Sequence, residues 1–481
     1  MRSSKSRALD GPSKKKIFVT LGLILIILTS FFGGYFTQFA LRGSGEKVVG
    51  DIIHVMDQVG YVYDAETDTY VKIEGDKIAK LIAGNFLDGY SAYYTKEEYA
   101  EIVKKNSGDY SGFGVSFLAD KNTWENAGTN KIYKVAINSP AFYAGIKDGD
   151  LITQATIEGE APVSITNAKQ MSEFMAIPEE GQEVTFTIER NGTPQMITCA
   201  KDKYVACYVT YMDSEISAYF APTVNGKMVT WQDADAVMVK EAQINSQFPQ
   251  DIGYIKLTAF EGDAALQFGA AIEYMVERGR TKLVLDLCDN GGGSMSILQD
   301  VASYLIYNKG KPNAKIAYAT EKLDATDETG YLVEGYRSTA FFCHTNNFKE
   351  DKILEISVMA NANTASASEC LIGAMISFAE REPHENETEI LPNNGEVFYR
   401  HNLIVVDDDG DGEYKTYGKG IMQTTYKLNS GGAIKLTTAK IVWPDKAQTC
   451  IHNKGIYPSN TANQAQNQDL ALLRAIAVLC D

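Results

Sequence analysis

The chain has 481 residues, 44% of them hydrophobic, enough for roughly three domains of about 150 residues each. Its net charge of −17, from 62 acidic against 45 basic side chains, argues against a nucleic-acid partner and for a well-solvated surface. No block of basic residues occurs outside the extreme N-terminus, and no Cys-x-x-Cys occurs among the seven cysteines, which excludes the common zinc motifs.

At the N-terminus, Arg2, Lys5, Arg7, Lys14, Lys15 and Lys16 precede Ile17 to Ala40, a stretch without a charged residue. It is long enough to cross a bilayer as a helix. The basic flank predicts a cytoplasmic tail at 1–16, a transmembrane signal-anchor at 17–40 and an extracytoplasmic remainder. A cleaved signal peptide is the alternative, but no Ala-x-Ala site follows the apolar stretch.

Residues 44–106 are expected to be a small helical region. Val48, Val49, Ile52, Ile53 and Met56 share one helical face, as do Ile78, Leu81, Ile82 and Phe86. Thr95 and Glu98 form a capping-box pattern. No chemistry is evident here; the region suits a spacer or a packing arm that joins two copies as a homodimer.

Over 107–205 the chain turns to short β-rich segments, with a helical stretch near Asn167 to Met175. Gly112-Phe113-Gly114-Val115 is a glycine-rich turn opening an apolar strand. Ser139-Pro140-Ala141-Phe142-Tyr143-Ala144-Gly145-Ile146-Lys147-Asp148-Gly149-Asp150-Leu151-Ile152 reads as a short helix and a tight turn into a strand. Together they resemble a PDZ domain of the kind found in bacterial proteases. The resemblance implies that the 112–115 turn receives the terminal carboxylate of a peptide, which adds as a strand to the sheet edge. The alternative is a small β-sheet module with ordinary turns.

From 206 to 481 the pattern is α/β. Ile252–Leu257 predicts a strand, Ala264–Arg278 a helix, and Leu283–Cys288 a buried parallel strand that ends in Asp289-Asn290-Gly291-Gly292-Gly293. A helix with Ile297, Leu298, Val301 and Leu305 follows. Ile353–Met359 is a further buried-strand candidate leading to Asn363-Thr364-Ala365-Ser366-Ala367-Ser368-Glu369. Gly293 and Ser366 are therefore expected just past the carboxyl ends of strands, where open α/β sheets place their sites.

Ser366 and Glu369 have the form of a capping box before the apolar run Leu371, Ile372, Ala374, Met375 and Phe378. A serine at a helix start also lies beside unpaired N–H groups suited to an oxyanion. Its hydroxyl needs a base. The five histidines, His54, His344, His384, His401 and His452, are isolated, and no Gly-x-Ser-x-Gly occurs. A buried lysine with a depressed pKa can serve instead. Lys419 sits between Gly418 and Gly420, near Tyr417, Ile421 and Met422.

Three motifs occur together: Asp286-Leu287-x-x-Asn290-x-Gly292-Gly293, Thr364-Ala365-Ser366-Ala367-Ser368-Glu369, and Gly418-Lys419-Gly420-x-x-Gln423. In this order they resemble the carboxyl-terminal processing proteases, tail-specific serine peptidases of family S41 with a Ser–Lys dyad. The likeness spans nearly everything after the anchor, down to Gly455-Ile456-Tyr457-Pro458. It implies a multi-domain α/β chain: transmembrane helix, helical region, PDZ β-sandwich or barrel-like domain, and an α/β protease core of the ClpP/crotonase-like type. It implies Ser366 as nucleophile, Lys419 as general base and Gln423 as the residue orienting the lysine; were 419–423 helical, the two would share a face. The backbone N–H groups of Gly293 and Ala367 would form the oxyanion hole, with Gly292 the less favoured neighbour. A phosphate cradle at 291–293 is disfavoured because no P-loop lysine follows.

Three departures stand out. Lys419 follows Ser366 by 53 positions (419 − 366), longer than the family spacing, and the excess lies in an acidic insertion over 380–411. Cys288 and Asn363 replace an arginine and a glycine common in the family. Asp407, Asp409, Asp411 and Gly412 mimic the start of a calcium loop, but its twelfth position is Gly418 rather than glutamate, so a solvated acidic turn is expected and no metal is assigned.

The expectation is thus a membrane-anchored serine endopeptidase, without cofactor, acting on protein or peptide substrates with apolar C-termini. A non-catalytic peptide-binding scaffold of the same fold, or a hydrolase of another ester or amide, are the alternatives.

Overall fold

A computed structural model of the chain describes residues 61–64, 69–72, 75–107, 109–117, 130–222, 228–232, 248–306, 313–326, 332–349, 352–379, 402–408 and 410–480. The 1–16 tail, the 17–40 anchor and the Val48–Met56 face lie outside them. Among the described residues no helix is long and apolar enough to cross a membrane. The chain divides into two compact units, 1–87 and 88–481.

In the first unit, β1 (Tyr61–Asp64) and β2 (Thr69–Lys72) form an antiparallel hairpin, followed by α1 (Gly75–Phe86). The 44–106 region expected to be helical thus holds strands as well as helices. Tyr61, Val62, Tyr63, Tyr70 and Val71 are β-formers, and pairing across the hairpin satisfies their backbone.

The second unit opens with β3 (Ala92–Tyr94), a second strand within the region expected to be helical, and α2 (Lys96–Asn106). The Thr95 capping box is formed in both directions: Thr95 N–H donates to Glu98 Oε2 at 2.9 Å, and Glu98 N–H to Thr95 Oγ1 at 3.2 Å.

A β-rich module follows. β4 (Asp109–Gly112) leads in and β11 (Asp202–Val205) leads out, and the two pair antiparallel with Tyr110 stacked on Tyr204. Between them lie β5 (Val115–Ser116), β6 (Lys134–Val135), α3 (Pro140–Ala144), β7 (Leu151–Ile157), β8 (Val163–Ser164), α4 (Ala168–Ala176), β9 (Glu183–Arg190) and β10 (Thr193–Ala200). The sheet order is β10-β9-β7-β8, with β5 and β6 paired apart from it. Phe113, Ile132, Ile152, Met171, Phe186 and Ile188 fill its own apolar core. Ser139 caps α3 by accepting the Phe142 N–H, and Gly145 ends it at φ 84°.

The remaining chain builds two sheets. The larger runs β14-β13-β12-β15-β16-β19-β20-β23, in which β12 (Val209–Met212), β13 (Ser217–Pro222) and β14 (Met228–Gln232) are antiparallel. β15 (Ile252–Leu257), β16 (Lys282–Asp286), β19 (Glu355–Asn361), β20 (Leu403–Val406) and β23 (Gln464–Ala465) run parallel. Both faces are covered, which is why these strands read as continuous apolar runs. Leu283, Leu285, Ile356, Val358, Leu403 and Val405 pack with α5 (Ala264–Glu277), α6 (Met295–Ala302) and α7 (Ala367–Ala379). Val284, Met359, Ile404 and Val406 pack with α8 (Gln468–Cys480). The smaller sheet runs β18-β17-β22-β21, from β17 (Lys315–Thr326), β18 (Leu332–Phe342), β21 (Ile421–Lys427) and β22 (Ala433–Val442), with β3 added to β22.

The 380–411 insertion needs correcting at its end. Leu403–Val406 is a fully buried strand between β19 and β23, so core structure begins inside the tract read as insertion. Residues 380–401 and Asp409 lie outside the described residues. Asp407 accepts the N–H groups of Gly410, Asp411 and Gly412, so its carboxylate is engaged by the turn itself. All seven cysteines are unpaired, and Cys199, Cys288, Cys343 and Cys370 are buried.

Candidate active site

Two loops leave the parallel sheet side by side. The first follows β16. Asn290 shapes it: its side-chain N–H donates to the Leu257 carbonyl and its Oδ1 accepts the Gly292 N–H, at 2.8 and 2.9 Å. Phe260 then clamps the glycines, donating to the Gly292 carbonyl and accepting from the Ser294 N–H. The Gly293 N–H takes no part in that bridge. Gly292 and Gly293 have φ values of 97° and 144°, open only to glycine without strain. A Cβ on Gly292 would lie 2.8 Å from the Ala365 carbonyl and the Ala367 nitrogen, and one on Gly293 2.3 Å from the Phe260 carbonyl.

The second loop joins β19 to α7 and carries Ser366. Asn290 holds it too, accepting the Ala365 N–H at 3.0 Å and the Ser368 hydroxyl at 2.9 Å through its carbonyl. Ser366 lies one residue before the helix at φ 59°, not in the extended conformation of an ordinary N-cap. A non-glycine residue held there stores on the order of 1 kcal/mol. The carboxylate half of the expected capping box is present, with Ser366 N–H donating to Glu369 Oε2 at 2.9 Å.

Glu369 does more than cap. It is fully buried and accepts the Gly418 N–H at 2.7 Å, the Lys419 N–H at 2.8 Å and the Thr416 hydroxyl at 2.5 Å. The serine loop and the lysine loop therefore share one carboxylate. Burial pushes its pKa up, while these four donors pull the other way. The lysine loop is fixed on its far side by 451–456: Asn453 donates to the Gly418 carbonyl and Ile456 to Thr416 Oγ1, both at 2.8 Å. Gly418 and Gly420 are required by this close approach, because a Cβ on either would meet backbone nitrogen at 2.8 or 2.7 Å.

Ser366, Ala367, Gly292, Gly293, Lys419 and Gln423 all line one cavity of about 840 Å³, with Met295, Ile297, Ile421, Met422 and Ile441 as apolar wall. Burial lowers the pKa of Lys419, and the Lys435 ammonium acts in the same direction, opposed by the Glu369 and Asp88 carboxylates. Residues 419–423 are not helical: Gln423 lies on β21, and its side-chain N–H donates to Thr437 Oγ1 at 3.2 Å. The condition under which Lys419 and Gln423 would share a helical face is therefore not met, because 421–427 pairs with β22 along its whole length. The Gly112–Val115 turn is not on this cavity. Gly112 ends β4, Val115 opens β5, and Phe113 is buried in the core of the β-rich module. A Cβ on Gly114 would strike Ser139.

The local sequence did not reveal Asn290 as the staple between the loops, Glu369 as their shared acceptor, or Tyr90 and Lys435 as neighbours of Lys419. Glu369 stood in the motif, but its partners are up to 50 positions away. The arrangement joins a serine on strained backbone, an amine biased toward its free form and a glycine loop in one cavity walled by apolar side chains, a set suited to acyl transfer.

The model of peptidase family S41 matches residues 251–377 and 412–461, which hold the glycine loop, Ser366 and Lys419. Over those residues the chain is similar to peptidase family S41. The protein is a serine-type peptidase, and its family match is interrupted over the tract that contains the acidic stretch and β20. It is 24% identical over 485 residues to a CtpA-like serine protease of Staphylococcus saprophyticus, covering 98% of this chain and 78% of the relative. A CtpA-like serine protease of Staphylococcus aureus strain N315 is 25% identical over 414 residues, 85% of this chain and 64% of that relative's length. Among solved structures, a photosystem II D1 C-terminal processing protease matches 84% of each chain at 19% identity, with a TM-score of 0.41.

Proposed function

We propose that this S41 peptidase is a membrane-anchored, extracytoplasmic endopeptidase that binds the C-terminal tails of protein substrates and cleaves them with Ser366 and Lys419. Lys419 takes the Ser366 proton as the hydroxyl attacks the scissile carbonyl, then returns it to the leaving amine. The developing oxyanion is received by the N–H groups of Ala367 and Gly293. Gln423 bounds the same cavity on the side of β21. The observation that carries the reading is one buried carboxylate, that of Glu369, bonded to the backbone of both Ser366 and Lys419.

The 107–205 module is a PDZ domain in this reading, and the 112–115 turn receives an apolar C-terminus. Support comes from the length of the 139–152 motif and from the paired β4 and β11, which let the module enter and leave the chain at one neck. The anchor at 17–40 and the extracytoplasmic placement rest on the charge-free stretch and its basic flank. A homodimer through the 44–106 region is part of the same reading.

The experiment uses the full chain in detergent and peptides with apolar C-termini, comparing wild type with Ser366→Ala and Lys419→Ala. Loss of cleavage in both variants is expected. Cleavage surviving in either removes the dyad. Amidating the peptide C-terminus is expected to raise KM; an unchanged KM removes the tail-binding role of the module.

A further inference from the structure

Lys419 has a covering that the family match, which begins at residue 251, does not include. The segment 88–94 runs along β22, with Lys435 opposite Ala92 and Ala433 opposite Tyr94. Asp88 ties its start into a turn by accepting the N–H groups of Tyr90 at 3.1 Å and Ser91 at 2.9 Å. Ser91 Oγ accepts the Thr437 N–H at 3.0 Å, fixing the segment to the strand beside the cavity. Tyr90 is thereby set with its ring 5.3 Å from Lys419 Nζ. Its hydroxyl reaches that of Tyr417 at 3.4 Å, and its ring meets the edge of His452 at 6.3 Å.

Resting on the Ser–Lys reading above, we propose that Tyr90 is a positioning residue for Lys419: the 88–94 segment lays its ring over the amine and keeps bulk water away from it. Two effects of the ring compete. Excluding water disfavours the ammonium, whereas the ring's negative face attracts it. In this proposal water exclusion outweighs that attraction: the ring stands 5.3 Å from Nζ, the amine is half-buried, and burial lowers the Lys419 pKa. The other groups facing the amine come from three directions. Lys435 on β22 repels the ammonium; Glu369 on α7 and Asp88 on the segment itself attract it. Burial, with the Tyr417 hydroxyl adding to it, pushes the Tyr90 phenol to about 12, so it stays neutral over the working range.

The test reads the titration of Lys419 without catalysis. The full chain carrying Ser366→Ala is treated with acetic anhydride across a pH series, and acylation of Lys419 is followed by mass spectrometry. Replacing Tyr90 by Ala is expected to raise the midpoint by about half to one pH unit. Tyr90→Leu, which keeps apolar cover without a ring face, and Tyr90→Phe, which keeps the ring, should both titrate as the parent. With Ser366 restored, the acid limb of kcat/KM should move up in Tyr90→Ala alone, through kcat more than KM. Should Tyr90→Ala not fold, Tyr90→Thr replaces it. An unmoved or lowered midpoint in the truncated variant overturns the proposal, as does a shift in Tyr90→Phe equal to that in Tyr90→Ala. Failure of the dyad reading would look different, as cleavage persisting in Lys419→Ala.

Discussion

The Oε2 oxygen of Glu369 accepts the backbone N–H of Lys419 at 2.8 Å, and the same oxygen accepts that of Ser366 at 2.9 Å. The two loops that bear the chemistry are thus fixed by backbone, not by their reactive side chains. That leaves Ser366 Oγ and Lys419 Nζ out of the staple, as the proposed proton transfer between them requires. A carboxylate suits this role because one oxygen can accept several donors without giving up its charge.

Removing that acceptor should therefore cost both fold and rate. Glu369→Ala leaves the N–H groups of Ser366, Gly418 and Lys419 and the Thr416 hydroxyl without their acceptor in a dry interior. Each such loss costs about 1–3 kcal/mol, so a fall in Tm and loss of activity are expected together. Glu369→Gln keeps one oxygen acceptor and the side chain's size, but introduces an N–H₂ facing donors. It should fold and lose about 10² in kcat, since misplacing either loop by an ångström has that effect. Differential scanning calorimetry and peptide cleavage separate the two outcomes. A Glu369→Ala protein with wild-type Tm and kcat would remove the shared-acceptor account.

The glycine loop yields a cleaner separation. Gly292→Ala places a methyl 2.8 Å from the Ala367 nitrogen, the atom proposed to donate to the oxyanion, and forces φ 97° on a residue with a side chain. Activity should fall about 10²–10³-fold, the range seen when an oxyanion donor is lost. KM should change little, because the ground-state carbonyl needs the donor less than the oxyanion does. Steady-state kinetics on one peptide decides it; a raised KM with unchanged kcat would place Gly292 in substrate binding instead.

Part of this was open to sequence reading and part was not, for identifiable reasons. Ile252–Leu257 and the helix from Ala264 declared themselves by apolar pattern, and the Thr95–Glu98 box by side-chain chemistry within four residues. Each of these signals is local. The hairpin at 61–72 was missed because the apolar residues downstream suggested a helical period, while strand pairing decides the backbone. Leu403–Val406 was hidden by the acidic residues around it, although four consecutive apolar residues are what a doubly covered strand requires. The four-residue spacing of Lys419 and Gln423 leaves helix and strand open, and β22 supplies the partner that makes 421–427 a strand. Tyr90 could not be linked to Lys419 from sequence, since only the pairing of β3 with β22 brings that segment across.

Strain at Ser366 predicts that the protein is more stable with glycine than with alanine at this position. With φ at 59°, Ser366→Gly should relieve backbone strain, whereas Ser366→Ala retains it. Both remove the proposed nucleophile. The glycine variant should be the more stable of the two by about 1 kcal/mol, even after the greater chain entropy of glycine is counted. Thermal unfolding of the two inactive proteins at one pH makes the comparison. An alanine variant as stable as the glycine variant would mean that the loop relaxes out of the left-handed region once the hydroxyl is gone.

The last expectation concerns Lys435, which shares the cavity with Lys419 and disfavours a second ammonium there. In the proposed mechanism Lys419 is a base only when uncharged, so the acid limb of kcat/KM should follow its pKa, which lies below the ordinary lysine value. Replacing Lys435 by Met removes a positive neighbour. The Lys419 ammonium then becomes easier to form, its pKa rises, and the limb moves to higher pH by several tenths to about one unit. Activity at neutral pH falls accordingly, while rates above the new midpoint return to wild type. Lys435→Arg keeps the charge and should keep the profile. A pH series on the three proteins with a single peptide suffices. A Lys435→Met profile that drops at every pH without moving its midpoint would instead assign Lys435 to substrate contact on β22.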